Sequence, residues 1–245
     1  LYSLDNANNR AGGGEAGNEN YARELFELHT LGSDNYLKFY DDDTLVGTLT
    51  YKGEEFARGY IDQDVYEAAS CFTGWTVSNG HWQLPDTVPS DGSFHYEPSW
   101  HESGLKFVLG AKISHDVSPA QYQADGRQVL DLVCRHIGTA RHICTKLCRR
   151  LISDNPPSSA IDAAVDVWMA NRDAPDQIAR TVEAILRSAA FTSTPGQKVK
   201  RPFEQLVSYV RGAGVRIPIA DTDPLGSNWV NLANNLTETG QGLFE

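Results

Sequence analysis

The helical spacing of apolar residues in the second half of the chain is the feature that most limits the fold. In TARHICTKLCRRLIS (residues 139–153), apolar residues recur every three or four positions and the arginines fall on other faces. This spacing is typical of a half-buried α-helix. Helices of the same kind are predicted at 121–136, 160–171, 175–191, 200–214 and 223–236.

Parts of the first half have the composition of strands. TLVGTLTY (residues 44–51) is rich in β-branched side chains, which favour strands. WTVSNGHWQL (75–84) is predicted to be a hairpin, because Asn79-Gly80 is a typical two-residue turn. SFHY and LKFVLG, further along the chain, are predicted to be short strands or extended loops.

The predicted fold class is mainly α, a multi-helix orthogonal bundle with a small β-hairpin-rich insert at about 44–52 and 75–112. The 245 residues are enough for one large domain with a sizeable core, so 1–245 is interpreted as a single domain with an insertion at 33–59. No run of apolar residues is long enough to span a membrane. The net charge of -11 disfavours nucleic-acid binding, which needs clustered lysines and arginines.

The four cysteines, Cys71, Cys134, Cys144 and Cys148, form no CxxC pair. Buried free thiols are the favoured interpretation, because Cys144 and Cys148 lie on the apolar stripe of a predicted helix. The alternative is a disulfide between Cys134 and one of those two, which would imply an oxidising compartment. The sequence has no GxSxG elbow, P-loop or GxGxxG turn, so serine catalysis and nucleotide chemistry are disfavoured.

The segment NENYARELFELHTLG (residues 18–32) is predicted to be a short helix that concentrates charge. Under one interpretation it is an ordinary amphipathic helix, in which Arg23 pairs with Glu27 four residues later. Under the other, Glu24, Glu27 and His29 point into a pocket as acid–base groups or ligands. Both interpretations stay open at this point.

A second candidate lies in the predicted loop HYEPSWHESG (residues 95–104). His101 is a further candidate catalytic residue, and a divalent metal held by His29, His101 and Glu24 is physically reasonable, since imidazole and carboxylate are common metal ligands. The spacing is not that of HExxH. The alternative is that His101 and Glu102 form hydrogen bonds that close the insert onto the helices.

Basic and aromatic side chains are the candidate ligand-binding groups. Arginine can clamp a carboxylate, sulfate or phosphate group through two parallel hydrogen bonds; the alternative is that these residues pair with acidic neighbours. Trp75 is expected to be buried, whereas Trp82, beside the predicted turn, is the candidate for an exposed platform that binds a sugar or a partner. The candidate binding residues are Arg23, Arg141, Arg150, Lys200, Arg201 and Trp82.

Several blocks in order resemble one family: LYSLDNANNR, NENYARELFELHTLG, FTGWT, FHYEPSWHESGLKFVLG, KVKRPFEQLVSYVRGAG and GQGLFE. The sequence resembles the domain-of-unknown-function 1800 (DUF1800) family of bacterial proteins. The resemblance implies a mainly helical, exported protein with a periplasmic or extracellular location. It also implies a candidate partner, an exported sulfatase- or phosphatase-like protein encoded nearby. Family members are usually longer at both ends, so the chain is expected to be a fragment.

The family has no settled activity, so the resemblance assigns no catalytic residue. The leading hypothesis is a metal-dependent enzyme, a hydrolase or an oxidoreductase, with a Glu/His site. The alternative is a non-catalytic extracellular module that binds or assembles with a polysaccharide or a partner protein.

Overall fold

A computed structural model describes residues 6, 9–11, 18–38, 46–80, 84, 87–113, 123–214 and 234–240. The chain divides into two compact units, Leu1–Ser193 and Thr194–Glu245. The described secondary structure confirms the predicted fold class, since it is mainly helical and its strands form only two-stranded antiparallel sheets. No helix in the described part is long and apolar enough to cross a membrane.

The elements of the first unit follow in chain order. A short helix α1 (Asn20–Glu24) continues into a π-helical turn (Leu25–His29), and hairpin β1–β2 (Thr48–Tyr51, Glu54–Ala57) precedes α2 (Asp62–Cys71). Strands β3 (Trp75–Val77), β4 (Phe94–Tyr96), β5 (Lys106–Val108) and β6 (Ala111–Ile113) form the insert. The remaining helices of this unit are α3 (Gln123–Arg135), α4 (Ile137–Leu151), α5 (Ser158–Ala170), α6 (Gln177–Arg187) and α7 (Ala189–Thr192).

The second unit contains one long described helix, α8 (Pro202–Gly212). Proline at its first position suits a helix start, because the missing N–H has no partner there in any case. The Glu204 carboxylate also accepts the backbone N–H of Arg201 at 3.2 Å. Most of the helix predicted at 223–236 lies outside the described residues.

Two apolar clusters form the core of the first unit. The first apolar cluster joins α1, α2, β5 and α3 and includes Phe26, Tyr60, Val65, Phe72, Val108, Val129 and Val133. The second apolar cluster joins α4, α5 and α6 and includes Ala140, Cys144, Cys148, Val165, Trp168 and Ile185. The helical spacing of apolar residues from 139 onward therefore marks a true buried stripe.

The four cysteines are free thiols. Cys71, Cys144 and Cys148 are buried, as the favoured interpretation expected, whereas Cys134 is exposed. Burial raises the pKa of Cys144 to about 12, because an apolar environment disfavours the thiolate. The thiols on α4 are therefore packing groups, since the thiolate is the reactive form.

Hairpin β1–β2 connects the two clusters. Its strands pair from Thr48 with Ala57 to Tyr51 with Glu54, and the loop residues Lys52 and Gly53 have φ angles of 50° and 87°. Two positive φ angles match the twist of antiparallel strands in a two-residue turn. The side chains of Leu49, Tyr51 and Phe56 pack against the second apolar cluster.

The prediction of a hairpin within residues 75–84 was wrong, because its first strand pairs with a more distant strand. Strand β3 pairs with β4, with Trp75 opposite Tyr96, and the pairing extends to a hydrogen bond from Ser78 N–H to Ser93 O at 2.8 Å. Trp75 is buried, as expected, and packs against Phe72 and Phe94. Burial of this aromatic surface favours the distant strand over the local turn.

Two asparagines of the first sequence block hold the carboxyl end of α2. Asn6 Nδ2 donates to Phe72 O at 3.3 Å and to Trp75 O at 2.8 Å, and Asn9 Nδ2 donates to Ala69 O at 2.7 Å. The last carbonyls of a helix have no partner within the helix. Both side chains are fully buried, so these bonds satisfy carbonyl groups that water cannot reach.

Candidate functional site

The opening helix ends in a π-helical turn at Leu25–His29. Phe26 anchors the turn, because it is buried edge-on against Tyr60 with 5.4 Å between ring centroids. Gly32 follows with a φ of 88°, and a side chain there would collide with the imidazole of His142. Glycine is therefore required at this position. π-helical turns are rare and are often found at functional sites.

Arg23 is held by a partner that the sequence did not reveal. Its guanidinium donates to Asp62 Oδ1 at 3.0 Å, and the hydroxyl of Tyr36 donates to Asp62 Oδ2 at 2.7 Å. Arg23 also lies 3.9 Å from Glu19, one turn earlier on the helix. The hydrogen bond to Asp62 raises the pKa of Tyr36. Arg23 is thus oriented from two sides, and the pair predicted with Glu27 does not form.

Glu24, Glu27 and His29 consequently keep their polar atoms available. Both glutamates are half-buried and His29 is exposed. None of the three side chains forms a hydrogen bond or an ion pair with another described residue. Burial raises the pKa of Tyr60, and the negative charge of Glu27 raises it further.

His101 belongs to a different, buried polar network. Its Nδ1 lies 3.1 Å from Thr73 O, and its Nε2 lies 3.5 Å from Asp125 Oδ2. Lys106 Nζ donates to the same Asp125 oxygen at 2.9 Å and to Glu102 O at 2.6 Å. Burial alone would raise the pKa of Asp125, but the hydrogen bonds and charges of His101 and Lys106 outweigh it and lower the pKa.

The neighbouring residue Glu102 ties the same loop to α2. Its backbone N–H donates to Thr73 Oγ1 at 2.8 Å, and its carboxylate accepts the hydroxyl of Ser70 at 2.9 Å. These are the contacts expected if His101 and Glu102 close the insert onto the helices. Among the described residues, no group of three His, Cys, Asp or Glu side chains is arranged to hold a metal ion. The structure therefore does not assemble His29, His101 and Glu24 into one such group.

The basic candidates have separate surroundings. Arg141 is exposed and pairs with Asp162 at 2.9 Å, and Arg150 is also exposed on α4. Lys200 and Arg201 belong to the second unit, where Lys200 Nζ lies 2.9 Å from the Ser208 hydroxyl. Trp82 lies outside the described residues.

Sequence reasoning missed the residues that complete each site. Asp62 was not among the candidate site residues, and its contact with Arg23 spans 39 positions. Asp125 lies in the first turn of α3 and Lys106 at the start of β5, and neither was among the candidate site residues. A polar residue in a predicted strand, LKFVLG, was the one signal that could have suggested a buried ion pair.

A family model described as "Protein of unknown function (DUF1800)" matches residues 1–245. The chain belongs to the DUF1800 family. No curated protein and no solved structure matches it. Two of the sequence blocks that suggested DUF1800 now have a structural meaning: the first supplies Asn6 and Asn9, and the second forms the π-helical turn.

Proposed function

We propose that the opening helix of this DUF1800 protein carries a proton-transfer site in which Glu27 and Glu24 are the acid–base groups. The observation that supports it is the pair of half-buried carboxylates left without an ion pair while the adjacent Arg23 is held by Asp62. Carboxylates that have no ion-pair partner and can reach a substrate proton are common acid–base catalysts.

Each neighbour has a defined role in this proposal. Glu27 is the base, because its half-buried carboxylate forms no ion pair with another described residue. Arg23 is a positioning residue, because Asp62 and Tyr36 fix the polar edge of the helix on which Glu27 lies. His29, exposed at the end of the turn, is the group that contacts the substrate or assists a divalent metal. Hydrolysis is the reaction class that requires the fewest further groups.

Resemblance to other DUF1800 proteins also supports a proposed cellular location and a proposed partner. An exported enzyme would act in the periplasm or outside the cell, next to the sulfatase- or phosphatase-like protein that is encoded beside many family members. His101 is part of the proposed site only if the loop that carries it moves, since it now contacts Thr73 and Asp125.

The test is a rate comparison on chromogenic p-nitrophenyl esters, phosphates, sulfates and glycosides, with and without Mn²⁺ or Zn²⁺. Glu27→Gln should lower the rate on any accepted probe by roughly a hundredfold or more, as for loss of an acid–base group, with an unchanged melting temperature. Glu183→Gln is the matched control, because that glutamate pairs on the surface with Arg187. Equal rates for Glu27→Gln and wild type would refute the proposal.

A second candidate function rests on exposed aromatic surface. Phe94 is 47% exposed beside Trp75, and the guanidinium of Arg10 lies 3.7 Å from the ring centroid of Trp100. Such surfaces bind sugars or partner proteins. Co-sedimentation with insoluble cellulose, chitin or peptidoglycan tests this function, and Phe94→Ala should release bound protein. Equal retention of wild type and variant, or no retention, would exclude this surface as a polysaccharide site.

A further inference from the structure

A pocket of about 430 Å³ lies between the β1–β2 hairpin and the turn that joins β5 to β6. Its volume falls within the range of small-molecule sites, roughly 300–1,000 Å³. It does not include any residue of the proposed acid–base site. Its lining includes Val46, Thr48, Glu55, Ala57, Leu109 and Gly110.

One wall of the pocket is a face of the hairpin. Side chains alternate between the two faces of a strand, and Leu49, Tyr51 and Phe56 pack against the second apolar cluster. Thr48 and Ala57 are cross-strand partners, and with Glu55 they lie on the opposite face, which lines the pocket. One face of the hairpin therefore packs against the second apolar cluster, and the other face presents polar and apolar side chains to the pocket.

The opposite wall is fixed by a buried carboxylate. Leu109 and Gly110 have φ angles of 52° and 72°, and a positive φ is unfavourable for leucine. Asp64 holds this turn, since its Oδ1 accepts the Leu109 N–H at 2.6 Å and its Oδ2 accepts the Ile61 N–H at 3.0 Å. This wall is therefore preformed, and both carboxylate oxygens of Asp64 already accept backbone N–H groups.

Glu55 supplies the unbalanced charge at the rim. Nearby, Glu54 pairs with Arg172 at 2.7 Å, and Arg135 pairs with Asp173. Glu55 is exposed and forms no ion pair with another residue in the described ranges. Val46, Phe56, Ala57 and Leu109 supply the apolar part of the lining. The Asp64 carboxylate also lines the pocket but accepts two backbone N–H groups, so Glu55 is the carboxylate left for a ligand.

We propose that this pocket binds a small organic cation, an amine or ammonium group on a compact apolar body. The ammonium group lies against the Glu55 carboxylate, and the apolar body lies on Val46, Ala57 and Leu109. The Thr48 hydroxyl provides a further hydrogen-bond acceptor on the same hairpin face. A free carboxylate rejects anions by like-charge repulsion, so the pocket discriminates by charge.

The experiment is a two-dimensional amide NMR titration of the full chain with 2-phenylethylamine, and with its neutral and anionic counterparts 2-phenylethanol and phenylacetate. The amine should shift the amide signals of Glu55, Ala57 and Gly110 and bind about three- to fivefold more tightly than the alcohol, the gain of one exposed ion pair. Phenylacetate should bind more weakly than both.

Two variants separate charge from volume. Glu55→Gln should remove the preference for the amine over the alcohol, and Thr48→Phe, which fills the pocket, should abolish both titrations. Glu183→Gln should behave as wild type. The proposal is overturned if amine and alcohol bind equally to wild type, if Glu55→Gln keeps the preference, or if no pocket amide shifts. None of these outcomes affects the acid–base site, which Glu27→Gln tests separately.

Discussion

The buried pair of Lys106 and Asp125 gives the sharpest test of what holds the insert in place. Their side chains are 4% and 3% exposed and lie 2.9 Å apart. Removing one partner of such a pair leaves an uncompensated buried charge, which costs roughly 3–5 kcal/mol. Asp125→Asn should therefore lower the free energy of unfolding by about this amount. For a unit of this size, each kcal/mol lowers the melting temperature by roughly 2–4 °C, so the expected fall is about 6–20 °C.

The assay is urea unfolding followed by tryptophan fluorescence, with Asp162→Asn as the control. Asp162 forms an ion pair with Arg141 in which both side chains are 55% exposed, and such a pair contributes at most about 1 kcal/mol. The double variant Lys106→Met, Asp125→Leu should recover most of the loss, because an apolar pair replaces both charges. If Asp125→Asn costs no more than Asp162→Asn, the network does not stabilise the insert.

Two further predictions concern other buried polar groups. His136 donates from Nε2 to Ala57 O at 3.0 Å, and burial lowers its pKa to about 4. Because the unfolded chain binds the same proton near pH 6.5, the free energy of unfolding rises with pH between about 4 and 6.5. It should therefore fall by about 2 kcal/mol from pH 7 to pH 5. Urea midpoints at both pH values measure this, and His136→Gln should flatten the dependence; an unchanged slope in that variant would assign it to other groups. Asn9→Ala removes the buried side-chain donor from Ala69 O, which keeps only the Phe72 N–H at 3.0 Å, and should cost about 1 kcal/mol. Calorimetry against the exposed control Asn20→Ala checks it, and equal melting temperatures would show that the Phe72 N–H alone satisfies Ala69 O.

The sequence was a good guide wherever one helix could be treated by itself. The apolar spacing of 139–153 correctly predicted the stripe of Ala140, Cys144 and Cys148, because burial of a helix face leaves a local periodic signal. The strand content of the insert was also visible, but its pairing was not. Strand β3 meets β4 across 16 intervening residues, and tertiary packing of Trp75 decides that pairing.

The candidate site depended even more on distant contacts. Spacing alone offered Glu27 as the partner of Arg23, four residues away, whereas the fold brings in Asp62 from the start of another helix. Because Arg23 pairs with Asp62 instead, Glu27 is left without the ion pair that the spacing predicted. No local pattern could reveal it, since ion pairs between elements carry no sequence period.

The hairpin β1–β2 also has a consequence for how the first unit unfolds. Ala57 packs against the first apolar cluster while Leu49, Tyr51 and Phe56 pack against the second, and Ala57 O accepts the His136 ring N–H at the junction of α3 and α4. Neither cluster can unfold without exposing side chains of hairpin β1–β2 to solvent. The two clusters should therefore open as one cooperative unit in native-state hydrogen exchange, with amides of Val65 and Cys148 showing the same opening free energy.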